Sequence, residues 1–155
     1  MYRIGLGTDS HEFEEGKFLY LGGVKIDFPK GLKGHSDGDV LLHALTDAIL
    51  GAIGERDIGE LFSDRDDHWK GADSSIFLKK AKELMEKKGY EIVNIDCVIV
   101  AEEPKISPFK EEIKKSISEI LYVNEKNISL KGKRPEAFDL KGIMCQCVVL
   151  LREKG

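Results

Sequence analysis

Asp9 and His11 stand two residues apart in Gly7-Thr8-Asp9-Ser10-His11, just after a stretch that reads as a strand. His43 is the only imidazole in the first helical pattern, with Asp39 and Asp47 one turn to either side. One carboxylate and two imidazoles match a zinc site that keeps a fourth position open, where the ion can polarise a substrate oxygen. In extended chain, residues two apart project to the same side, so Asp9 and His11 can reach one ion together. His43 lies on a helix whose start is crowded with polar residues, a poor face to bury without a task. These three residues predict a metal-dependent enzyme. Asp39 and Asp47, at i−4 and i+4 from His43, are candidates to orient its ring as hydrogen-bond acceptors. A capping role for Asp39 and simple solvation for Asp47 account for them equally well.

Two further motifs have the composition of ligand-binding loops. Gly34-His35-Ser36-Asp37-Gly38 precedes the helix, where unpaired N–H groups and the positive end of the dipole favour an anion. An ordinary capped helix start has the same look. Asp57-Ile58-Gly59 offers a carboxylate and backbone N–H groups to sugar-like hydroxyls, as do many acidic loops. The run Lys131-Gly132-Lys133-Arg134 and the region of Lys105 can form one positive site for a phosphorylated small molecule. His68 and Trp69 read as surface and edge packing. The acids of residues 12–15 and 111–112 read as solvated faces.

The elements that must position these residues follow from periodicity. Residues 1–7 alternate and predict a strand that enters a glycine-rich turn. Residues 18–26 read as a hairpin with Gly22-Gly23 at its turn. Residues 29–38 read as loop. From Asp39, the apolar positions Val40, Leu41, Ala44, Leu45, Ala48 and Ile49 repeat at helical spacing, with Asp37 or Asp39 as N-cap and Gly54 as stop. Residues 57–71 form a polar loop, and Asp73-Ser74-Ser75 opens a second helix that Gly89 ends. Its inner stripe is Phe77, Leu78, Ala81, Leu84 and Met85. Residues 92–101 are a central strand, Pro108 starts a third helix that runs to Leu121, and residues 128–130 and 143–151 are the last strands. The predicted fold is α/β of the α+β type: a mixed four-stranded sheet with helices on one face, plus a small hairpin.

At 155 residues the chain fits one domain, spanning residues 1–155, and 41% apolar residues suffice for its core. A formal charge of −4 argues against a nucleic-acid partner. No apolar run approaches membrane-spanning length and no targeting segment is legible, so no membrane partner is expected. Cys97, Cys145 and Cys147 are odd in number and lie in apolar strand patterns. Buried reduced thiols, hence a cytoplasmic protein, are the expectation.

Taken together, the segments resemble the 2-C-methyl-D-erythritol 2,4-cyclodiphosphate synthase family. The resemblance runs from Arg3-Ile4-Gly5-Leu6-Gly7-Thr8-Asp9-Ser10-His11 through Leu21-Gly22-Gly23-Val24 and Gly34-His35-Ser36-Asp37-Gly38-Asp39. It continues in Leu42-His43-Ala44-Leu45-Thr46-Asp47-Ala48, Asp57-Ile58-Gly59, Phe62-Ser63-Asp64, Lys70-Gly71-Ala72-Asp73-Ser74 and Ala101-Glu102-Glu103-Pro104-Lys105. It implies a homotrimer, with sites between chains, that closes a cytidine-diphosphate-linked methylerythritol phosphate into a cyclic diphosphate and releases CMP. The substrate's own 2-phosphate attacks the β-phosphorus, so catalysis is positioning and charge neutralisation.

The resemblance also implies the roles of residues. Asp9, His11 and His43 hold zinc, and His35 and Ser36 contact the attacking phosphate, with His35 as transition-state stabiliser. Asp57, Ile58 and Gly59 hold the erythritol, with Phe62, Asp64 and Asp66 close by. Ala101, Pro104, Lys105 and Ile106 line the cytidine pocket, and Glu136 holds a second divalent ion, magnesium or manganese. The last third departs from the family's Thr-Thr-x-Glu stretch. Lys133-Arg134-Pro135-Glu136 stands here instead, and the connection to Gly142-Ile143 is several residues shorter. The Arg and Glu that the family places in a threefold-axis cavity have no counterpart. Arg134, with Lys133 beside it, is expected to meet the diphosphate in place of the threonines. Two other readings use the same residues: a phosphosugar- or nucleotide-binding module without turnover, and a metal-dependent phosphohydrolase.

Overall fold

Alternation decides the sheet. In the computed structural model, which describes residues 1–34, 36–62 and 73–155, β1 (Tyr2–Glu15) turns Gly5 and Gly7 inward and Ile4 and Leu6 outward. β5 (Tyr90–Ala101), β6 (Ile128–Lys133) and β7 (Gly142–Glu153) alternate likewise, burying Ile95, Cys97, Ile99, Ile128, Leu130, Cys145, Cys147 and Val149 on one face. With β4 (Lys30–Leu32) they form a five-stranded sheet in the order β4-β1-β7-β5-β6. Only the β5–β6 pair is parallel, so the sheet is mixed. β2 (Leu19–Leu21) and β3 (Val24–Ile26) make the separate hairpin, with Gly22 and Gly23 at positive φ.

Three expectations are corrected. The sheet has five strands, not four, because Lys30–Leu32 inside the expected loop pairs with Phe13, Glu14 and Glu15. The first strand does not turn at Gly7. It runs on to Glu15, held by an unbroken register with β7 in which Asp9 faces Cys145 and His11 faces Ile143. The polar loop after Asp57 begins with one helical turn, α2 (Ile58–Leu61). In each case pairing or capping by distant or polar groups overrides local composition.

The central helix, α1 (Val40–Ala52), is buried almost all round. Its reason for sitting where it does is the absence of side chains on β1. A Cβ at Gly5 would lie 1.8 Å from the Ala48 carbonyl oxygen, and one at Gly7 would lie 1.9 Å from that of Ala44. The backbones of β1 and α1 therefore touch. α3 (Ser75–Lys87) and α4 (Lys110–Leu121), the latter entered through a 3-10 turn at Ser107–Phe109, complete the helical layer. They bury Phe77, Leu78, Ala81 and Met85 from one and Ile113, Ile117 and Leu121 from the other. Among the described residues no helix is long and apolar enough to cross a membrane. All three cysteines are free and buried, and burial pushes the Cys145 thiol well up, away from nucleophilic use.

Candidate metal centre and its two pockets

The β1–α1 contact sets the site. Beyond Gly7 the strand presents Asp9 and His11 on the same side, as the spacing of two requires. α1 turns His43 and Asp47 toward them, one helical turn apart, while Thr46 returns its hydroxyl to the Leu42 carbonyl at 2.7 Å. Asp9 Oδ2 lies 3.0 Å from His11 Nε2 and 3.2 Å from His43 Nδ1. The imidazoles meet edge to face, with ring centres 5.7 Å apart.

Burial opposes ionisation of Asp9, but the two imidazoles outweigh it and bring its carboxyl down to about 2. Burial likewise resists the charged form of His43, yet Asp9 holds its pKa above the ordinary 6.5. His11 Nε2 is buried without an aligned hydrogen bond despite the nearby carboxylate. An orphaned buried nitrogen aimed at a carboxylate and a second imidazole fits a cation better than it fits a hydrogen-bond network. One ligand atom from each of Asp9, His11 and His43 lies within 4.8 Å of the others. Two nitrogens and one carboxylate oxygen form a donor set that suits zinc.

These groups floor a cleft of about 410 Å³ that Gly34, Ser36, Asp47, Ile58, Gly59, Phe62 and Phe77 also line. Ile58 is oriented by its N–H, which donates to Asp47 Oδ1 at 2.7 Å. Asp57 caps α2, accepting from the Glu60 N–H at 3.0 Å, so one of its oxygens is engaged by the chain itself. His35, Asp64 and Asp66, named from the sequence, lie outside the described residues, as do His68 and Trp69.

A second cleft, of about 390 Å³, brings together Ala101, Pro104, Lys105, Ile106, Lys133 and Arg134. The expected positive cluster is smaller than the sequence suggests, because Lys131 pairs with Asp96 at 2.9 Å. Glu136, exposed and at φ 57°, lines neither cleft. His11, Ile143 and Ala101 share one level across β1, β7 and β5, so both clefts open at the same end of the sheet, with no residue in common.

The acceptors proposed for His43 are not those observed. Asp39 is fully buried and spends its carboxylate on the N–H groups of Gly22, Gly23 and Leu42, at 2.9, 2.7 and 3.0 Å. It is the cap of α1 and the anchor of the hairpin turn. Asp47 serves Ile58. The ring's Nε2 instead meets Ser74 Oγ at 2.8 Å and Ser36 Oγ at 3.1 Å. Ser74 stood in the sequence only as a helix opener and as the end of the Lys70–Ser74 family match, with no role attached, because only the fold sets it, 31 positions away, beside His43.

A family model described as the YgbB family matches residues 2–152. This chain belongs to that family. Over 150 residues it is 64% identical to the 2-C-methyl-D-erythritol 2,4-cyclodiphosphate synthase of Aquifex aeolicus, with 96% of each chain covered. It is 49% identical to the synthase of the same name from Hydrogenobaculum, over 99% of both chains. A solved cyclodiphosphate synthase holding CDP superposes with a TM-score of 0.91 at 41% identity, covering 97% of this chain and 100% of that one. The Plasmodium falciparum IspF, also a CDP complex, matches with a TM-score of 0.87 at 42% identity over 99% of this chain and 97% of that one. Family membership makes the chain a cyclising lyase of isoprenoid biosynthesis, a 2-C-methyl-D-erythritol 2,4-cyclodiphosphate synthase.

Proposed function

We propose that the chain works as a single catalytic domain in a cytoplasmic homotrimer. It takes 4-diphosphocytidyl-2-C-methyl-D-erythritol 2-phosphate to the 2,4-cyclodiphosphate and CMP, with zinc at Asp9, His11 and His43. The observation that carries this reading is the convergence of those three donors on the floor of a cleft that also offers Ser36, Ile58 and Gly59. An ion bound there supplies positive charge that orients and neutralises a phosphate oxygen. His35 and Ser36 steady the attacking 2-phosphate, with His35 stabilising the transition state. Asp57, Ile58 and Gly59 hold the erythritol, with Phe62, Asp64 and Asp66 beside them. A bond forms from a 2-phosphate oxygen to the β-phosphorus as the β-phosphorus bond to the oxygen of CMP breaks, so no protein nucleophile is needed.

The cleft of Ala101, Pro104, Lys105 and Ile106 takes the cytidine end, a reading supported by the CDP held in two solved relatives. Glu136 would hold a magnesium or manganese ion through its carboxylate, and that ion would supply positive charge to neutralise the diphosphate. Its left-handed φ of 57°, rare outside glycine, supports a residue held for a purpose. The trimer is supported by the outer face of the sheet, where Tyr2, Ile4 and Leu6 are 66, 72 and 59% exposed and Val148 neighbours Leu6. Such a contiguous apolar patch suits burial against other copies.

Incubation with the cytidine-linked substrate, followed by phosphorus NMR, tests the reaction. Cyclic diphosphate plus CMP is the expected product, unchanged substrate would mean a binding module, and free phosphate a phosphohydrolase. Sedimentation at working concentration should give the mass of three chains, and a monomer would sink the assembly.

Arg134 and Lys133 stand in the second cleft, and a guanidinium makes paired, charge-assisted bonds to phosphate oxygens. Arg134 therefore contacts the substrate diphosphate and stabilises the transition state. Arg134→Ala should lower turnover by roughly tenfold or more, given about 1.5–3 kcal/mol for a charged hydrogen bond. Wild-type kinetics in that variant would leave Arg134 a solvent-facing residue.

A further inference from the structure

A metal-binding histidine works only if the nitrogen facing the ion carries no proton, and the hydrogen bond at its other nitrogen decides that. At His43 that other bond runs into a chain of named groups. Nε2 lies 2.8 Å from Ser74 Oγ, and Ser74 Oγ in turn donates to Asp37 Oδ1. Asp37 is tied down from two more sides, taking the Ser74 N–H on Oδ2 and the Asp39 N–H on Oδ1, each at 3.0 Å. Ser74 is fully buried.

Donor and acceptor counting fixes the role of Ser74, while Ser36 Oγ adds a second contact at 3.1 Å from Nε2 and 3.2 Å from Ser74 Oγ. A carboxylate only accepts, and a serine hydroxyl has a single proton, so Ser74 donates to Asp37. Toward the ring Ser74 Oγ can then only accept, so the shorter of the two contacts on Nε2 is a hydrogen bond when that nitrogen carries the proton, and Ser36 can accept from the ring or donate to Ser74 in the same arrangement. With that proton on Nε2, the Nδ1 lone pair is left for an ion in the space shared with Asp9 Oδ2, 3.2 Å away, and with His11.

We propose that Asp37 and Ser74 form a relay that locks His43 in its Nε2–H tautomer and aims Nδ1 at the metal. Both are positioning residues, since neither reaches the ion itself. This rests on reading Asp9, His11 and His43 as the metal site. The relay joins the loop before α1 to the start of α3, so it also ties the site's geometry to the docking of that helix. Asp37→Asn introduces an amide able to donate to Ser74, which frees the Ser74 proton for the ring and reverses the preference.

The test uses full-length protein stripped with chelator and titrated with zinc against a competing chromophoric chelator. Removing an outer partner of a metal-bound histidine weakens affinity by about 10–100-fold. Ser74→Ala and Asp37→Asn should show that loss, while Ser74→Thr, which keeps the hydroxyl, should stay near wild type. Nitrogen-15 shifts of the neutral His43 ring in the zinc-free wild type should report the proton on Nε2. Finding it on Nδ1 overturns the relay without any variant, as does wild-type affinity in Ser74→Ala. His43→Ala separates the two levels of inference. If that variant binds zinc as well as wild type does, the metal-site reading fails. If it loses zinc while Ser74→Ala keeps it, only the relay fails.

Discussion

Replacing His43 with alanine should abolish bound metal and turnover together. Its Nδ1 is one of three donor atoms gathered within 4.8 Å, and the remaining pair, Asp9 and His11, cannot complete a site that needs three protein ligands. The residue is also what holds Asp9 ionised, together with His11, so its loss loosens the carboxylate as well as removing a nitrogen. A metal acting on a phosphoryl oxygen contributes several kcal/mol to the transition state, so turnover should fall by about a thousandfold or more. Elemental analysis of the purified variant reads the metal, and the phosphorus NMR assay reads turnover. Full occupancy in His43→Ala would remove Asp9, His11 and His43 as the ligand set. Inactivity with full occupancy would leave the ligand set equally wrong and assign His43 another role.

Asp39→Ala should be the most destabilising single change in the helix–hairpin junction. The carboxylate is buried, and it satisfies the N–H groups of Gly22, Gly23 and Leu42 at once, pinning the turn between β2 and β3 to the first turn of α1. Each buried donor left without a partner costs about 1–3 kcal/mol, and loss of a helix cap about 1 kcal/mol. The two hairpin donors and the cap together give about 3–7 kcal/mol, a large part of the 5–15 kcal/mol typical of a domain. Denaturant unfolding of the chelator-treated protein measures it, and a loss under about 1 kcal/mol would show that water replaces the carboxylate.

The same group carries a pH signature. Burial pushes its carboxyl up to about 6, helped by the charge of Asp37 and opposed by the three N–H donors. A carboxyl whose folded pKa lies above its unfolded value of 3.8 binds its proton more tightly in the native state. Its stabilising contribution is fully present below pH 3.8 and is lost as pH rises through about 6. In Asp39→Asn this dependence disappears. The stability of wild type minus that of Asp39→Asn should therefore grow as pH falls from 7 to 4, by about 2 kcal/mol. A flat difference would mean that the N–H donors, not burial, govern the group.

Residue types and their order were enough to announce the family and the three donors of a candidate metal site. Asp9 and His11 at a spacing of two project together because any extended chain alternates, and this holds whether the strand stops at Gly7 or runs to Glu15. The apolar repeat from Val40 onward made α1 legible for the same reason: periodicity is local, and 13 residues record it. The buried thiols and the hairpin at Gly22-Gly23 were legible on equally local grounds.

What the linear chain left open depended on contacts between distant segments. Nothing in Lys30–Leu32 announces a strand until Phe13, Glu14 and Glu15 lie beside it, so the fifth strand belongs to the fold. Asp39 and Asp47 stood at ideal helical spacing from His43, yet a carboxylate goes to the most demanding donors within reach. For Asp39 these are the N–H groups of a hairpin turn and of its own helix start, and for Asp47 the N–H of Ile58. The ring's partner became Ser74, brought in by the docking of α3, with Asp37 behind it. The sequence by itself determined which donors this protein brings to the candidate metal site. The tertiary structure alone decided which groups hold those donors in place, because hydrogen-bond partnership is settled by proximity in space and competition for buried N–H groups, and neither is written in spacing along the chain.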